Sequence, residues 1–195
     1  MPFRIVDDEV CSDLEGIRQL QDRPLNILDL LFLEKYDGIP KRTADYIGAI
    51  GHPDFAEDFY KYVIRTSKTE AQRIEDILIQ DNILYAIDKS NLYRKKYMKY
   101  MNINNPEELQ SWVKNNINTG EDLELLPSLT NEDMRKQGLE HNAWWIPGKR
   151  IASTYQTGGS TGKPSIIPYS PIDKALAGLL MSSMMRKNAD TSVIG

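Results

Sequence analysis

Thiol and imidazole groups are scarce in this chain. One cysteine, Cys11, and two histidines, His52 and His141, occur in 195 residues. A lone thiol closes no internal disulfide, and two distant imidazoles make no metal-ligand spacing, so a structural or catalytic metal centre is not expected. Long apolar runs are missing too. No stretch approaches the roughly 20 residues that cross a bilayer as a helix. The start MPFRIVDDEV lacks the cationic and apolar regions of a signal peptide. Positive charge is in slight deficit, with 24 Lys and Arg against 28 Asp and Glu for a net charge of −4. That balance argues against a general binder of nucleic acid or anionic membrane. The expectation is a cytoplasmic protein that engages neither.

What is present is enough apolar material for an ordinary core: 41% of residues are hydrophobic and 27% charged. Residues 1–66 read as short helices. Ser12 with Glu15 forms a capping-box pattern. Pro24 marks the start of a second helix, Leu25 to Tyr36, which is apolar on nearly every side and should be the most buried of this part. Asp37-Gly38-Ile39-Pro40 is a stop signal. Helices from Thr43 to Ile50 and from Pro53 to Arg65 follow. No cluster of polar groups in this region suggests chemistry, so it reads as a helical module of 1–66.

From Thr69 the spacing of Ile74, Ile77, Leu78, Leu84, Tyr85 and Ile87 predicts one long amphipathic helix to about Asp88, interrupted at Ser90 and Asn91. The next segment mixes basic residues with aromatics, a combination also used to hold nucleic acid. Its spacing favours a helix with Tyr93, Tyr97, Tyr100 and Met101 inward and Arg94, Lys95, Lys96 and Lys99 solvated. Asn105-Pro106 opens a helix bearing Leu109, Trp112 and Val113, which closes between Asn115 and Gly120. Thr130 with Asp133 is an N-cap pattern for a short helix running to Gly138. Trp144 and Trp145 read as packing anchors. Ser170-Pro171 starts a last helix to about Lys187, in which Met181, Met184 and Met185 read as core filler and Gly178 and Ser182 as points of close packing.

Between two extended runs, Ile151 to Gln156 and Ser165 to Tyr169, stands Thr157-Gly158-Gly159-Ser160-Thr161-Gly162-Lys163-Pro164. Three glycines, three hydroxyls and one lysine in the first seven of these positions suit an oxyanion. Glycine lets backbone N–H groups turn inward without a Cβ in the way, and hydroxyls and an ammonium add donors. A plain polar hairpin turn has the same composition. The nucleoside-triphosphate P-loop does not fit: Gly158 to Gly162 encloses three residues instead of four, and Pro164 replaces the hydroxyl residue that would bind magnesium.

The stretch TGGSTGKP resembles the phosphate-binding signature of the adenylate-forming superfamily, which runs Thr-Ser-Gly-Thr-Thr-Gly-Lys-Pro. Gly158 for Ser removes a hydroxyl, and Ser160 for Thr keeps one. Tyr93-Arg94 and the segment Leu126 to Arg135 precede it in the order seen in the phenylacetate-CoA ligase and acyl-protein synthetase branch. The resemblance covers about residues 69–190. It implies ATP and Mg2+ as cofactors, a carboxylic acid as substrate, and CoA or a carrier-protein thiol as acceptor. It assigns phosphate hydrogen bonds to Thr157, Ser160 and Thr161, backbone donors and mobility to Gly158, Gly159 and Gly162, and charge neutralisation to Lys163.

The family's acyl pocket, adenine pocket and catalytic lysine lie downstream of this loop, so no catalytic residue is assigned. The fold expected is mainly α with a short β-hairpin, the N-terminal fragment of an α/β enzyme, with residues 67–195 as the start of its large domain. Such a chain alone is expected to be inactive, and unpaired strand edges would favour a homodimer. The alternative is a helical interaction module without catalysis.

Overall fold

A computed structural model describes residues 10–11, 23–36, 38–130, 132–133, 151–156 and 166–192. Among them are seven α-helices, one 3-10 turn and two small antiparallel strand pairs. The mainly helical expectation is met. No helix among the described residues is long and apolar enough to cross a membrane. The chain divides into two compact units, 1–68 with 170–195, and 69–169.

The first unit holds α1 (Ile27–Lys35), α2 (Thr43–Ile50), α3 (Pro53–Arg65) and α7 (Pro171–Ser192). α2 and α3 occupy the expected spans, bounded by Gly51, Pro53 and Thr66. α1 starts later than Pro24 predicts, because Asn26 is its N-cap: the Asn26 side chain accepts from the Leu28 N–H at 2.9 Å. Asp29 closes the capping box by accepting from the Asn26 N–H at 2.9 Å. The expected burial of α1 is observed, with Leu28, Leu31 and Phe32 all fully covered. Phe32 is the hub of an aromatic cluster, its ring centroid 4.7 Å from Phe55 and 5.1 Å from Tyr46. Such offset, tilted pairs add to the apolar area they bury. Beyond α1, Ile39–Pro40 forms strand β2 and pairs with β1 (Val10–Cys11), so the predicted stop signal also carries a strand. The helix signalled by Ser12 and Glu15 lies outside the described residues.

α7 starts as Ser170 and Pro171 predict. Ser170 Oγ accepts from the Asp173 N–H at 3.2 Å while Asp173 accepts from the Ser170 N–H at 3.0 Å. The helix packs on α2 and α3, and its Ile172 and Leu179 are buried. Two expectations for α7 fail. Met181, Met184 and Met185 are 55%, 63% and 66% exposed, so they are not core filler. A Cβ on Gly178 would meet nothing within 4 Å, so no close packing depends on that glycine. Helical spacing identified a stripe, but α7 turns a neighbouring stripe toward its partners.

The second unit holds α4 (Lys68–Lys89), α5 (Asn91–Met101), α6 (Pro106–Asn116), the 3-10 turn Glu121–Leu125 and strands β3 (Ser153–Gln156) and β4 (Ile166–Tyr169). Its core is Ile87, Tyr97, Ile103, Leu109, Val113 and Ile117, with Trp112 and Leu126 packed against it. Asn105 caps α6 by accepting from the Glu107 N–H at 2.8 Å, with Pro106 in the first turn. At the other end of α6, Gln80 of α4 donates to the carbonyl of Ile117 at 2.7 Å, satisfying an end-of-helix acceptor.

Candidate functional site

β3 and β4 form an antiparallel hairpin whose register runs from Ser153 opposite Tyr169 to Gln156 opposite Ile166. The expected extended runs on either side of the glycine-rich stretch are therefore strands of one hairpin, and 157–165 is their connection. The Tyr155 and Tyr169 rings meet edge to face at 5.0 Å, an aromatic pair that stiffens the stem. Tyr155 remains 52% exposed. The seven predicted phosphate-site residues, Thr157, Gly158, Gly159, Ser160, Thr161, Gly162 and Lys163, lie outside the described residues. Trp144 and Trp145 do as well.

The two upstream segments of the resemblance have described surroundings. Arg94 folds back onto the end of α4: its Nε donates to the Ile87 carbonyl at 2.7 Å and its Nη2 to the Asp88 carbonyl. A helix end leaves its last carbonyls without intrahelical donors, and a guanidinium supplies both charge and donors there. Tyr93 packs edge to face on Tyr97 at 5.8 Å, and burial raises both phenols, Tyr97 to about 12.

The second segment is held by a capping box. Thr130 Oγ1 accepts from the Asp133 N–H at 3.2 Å, and Asp133 Oδ2 accepts from the Thr130 N–H at 2.9 Å and its hydroxyl at 2.8 Å. The course beyond Asp133 is outside the described residues. Lys96 Nζ of α5 also donates to Asp133 Oδ2, at 2.5 Å. That ammonium, followed by the Thr130 donors, holds the Asp133 carboxyl far below the usual carboxylate range.

These contacts correct the reading of α5 as an inward aromatic face with a solvated basic face. Arg94 and Lys96 are engaged by α4 and by Asp133, while Tyr100 is 64% exposed. The basic-aromatic mixture thus divides into capping and ion pairing, with half of its four cations bound within the unit. Sequence reasoning missed the Lys96–Asp133 pair because its members are 37 positions apart. It also missed the polar cluster around Asp29, for which the Asn26-x-x-Asp29 spacing was a readable signal.

Against models of protein families, curated proteins and solved structures, the chain has no match.

Proposed function

We propose that the connection 157–165 holds the β and γ phosphates of ATP, and that the chain supplies this phosphate-holding part of a ligase that activates a carboxylic acid for transfer to a thiol. The observation that supports the reading is the hairpin stem. Its register closes at Gln156 and Ile166, so Thr157 to Pro164, with all its glycines and hydroxyls, falls within one connection between paired strands. A glycine-rich connection presents successive backbone N–H groups to one anion.

In the reaction, an oxygen of the substrate carboxylate attacks the α-phosphorus of ATP. The bond from that phosphorus to the bridging oxygen of pyrophosphate breaks, and negative charge builds on the departing pyrophosphate. Thr157, Ser160 and Thr161 donate hydrogen bonds to it, the amides of Gly158, Gly159 and Gly162 add backbone donors, and Lys163 neutralises charge. Such donors lower the barrier only as far as they bind the developing charge more tightly than the ground state. The thiol sulfur then attacks the acyl carbon of the adenylate and AMP leaves. Mg2+ enters with the triphosphate as part of the substrate, and the setting is cytoplasmic.

The test is a titration of the chain with Mg-ATP, read from the amide resonances of Gly158, Gly159 and Gly162. Saturable shifts are expected, with affinity at least about tenfold weaker in Lys163→Ala, a loss of about 1.4 kcal/mol. Unmoved glycine resonances, or an affinity that Lys163→Ala leaves intact, would overturn the proposal. Absence of nucleotide binding together with a stable oligomer would favour the helical interaction module.

A further inference from the structure

We draw no further inference here: the strongest candidate, the exposed apolar stripe of Leu180, Met181, Met184 and Met185 on α7, is an unpartnered helix face, and nothing in the structure shows what covers it.

Discussion

Asp29 is an acidic residue with no exposed surface, placed in the first turn of the most buried helix of the first unit. Burying a carboxylate is costly unless each of its oxygens is met. Here Arg23 grips it with two donors, at 2.8 Å and 2.6 Å, and Tyr46 donates its hydroxyl at 2.9 Å. The Arg23 guanidinium also lies 4.8 Å from the Tyr46 ring centroid, so one cation serves the acid and the aromatic face. Asp29→Ala removes the main partner of a largely buried cation together with half of a capping box. The expected loss is about 3–5 kcal/mol, read from the urea midpoint of unfolding. A loss below about 1 kcal/mol, the scale of an exposed pair, would show that the cluster is no more than a surface ion pair.

Tyr97 makes a second prediction at this scale. Its phenol, ordinarily near 10, is pushed up to about 12 by burial and then by Tyr93. The neutral form is the one that folding favours. Its contribution is therefore complete below pH 10 and is lost as pH rises toward 12. An absorbance titration of the folded protein should show one phenolate step near pH 12 that disappears in Tyr97→Phe. Loss of a step near pH 10 in Tyr97→Phe, with the step near pH 12 unchanged, would contradict it.

Among the helices, local chemistry explains the ends better than the faces. α5 stops at Asn102, the one non-glycine residue described with positive φ, at 56°. The left-handed conformation costs most side chains about 1–2 kcal/mol, while asparagine tolerates it and glycine adopts it freely. It lets the Ile103 N–H reach back to the Met98 carbonyl at 2.9 Å and close the helix. Asn102→Ala should therefore lower stability by about 1 kcal/mol and Asn102→Gly by less, as compared by thermal unfolding. Equal losses would place the cause in the side chain's own contacts and not in the backbone.

The helical faces behaved differently. Leu109, Val113 and Trp112 were legible as an inward stripe of α6 because apolar and polar residues separate cleanly around it. On α7 apolar residues lie on several sides, so periodicity alone did not say which stripe is covered. The structure covers Ile172 and Leu179 and leaves Met184 and Met185 open.

Across the second unit, contacts between distant residues decide how the segments are tied. Lys96 and Asp133 join α5 to the capping box at Thr130, and the carboxylate's ionisation is favoured in the fold. Because the folded value is depressed, the stabilisation is present above the ordinary carboxyl range and is lost as pH falls through that range toward the folded value. Asp133→Asn should accordingly flatten the acid limb of the stability profile, compared with the parent chain by urea midpoints at pH 5 and pH 3. An acid limb as steep as the parent's would remove Asp133 from that role.

The candidate site was legible in the sequence to the extent that it is local. Glycine density, hydroxyl spacing and flanking extended runs announced a hairpin around 157–165, and β3 and β4 pair accordingly. Amino-acid order by itself also determined the bounds of α2 and α3, the caps at Asn105 and Ser170, and the absence of a second thiol for a disulfide. Each follows from backbone donors, proline or glycine within a few positions, or from plain counting. Only the tertiary structure decided that Arg94 closes α4, that Lys96 meets Asp133, that Asp29 is buried between Arg23 and Tyr46, and that α7 packs with the first unit. Those outcomes depend on which groups the folded chain brings together, because a buried charge or apolar stripe is stable only where another segment supplies its partner.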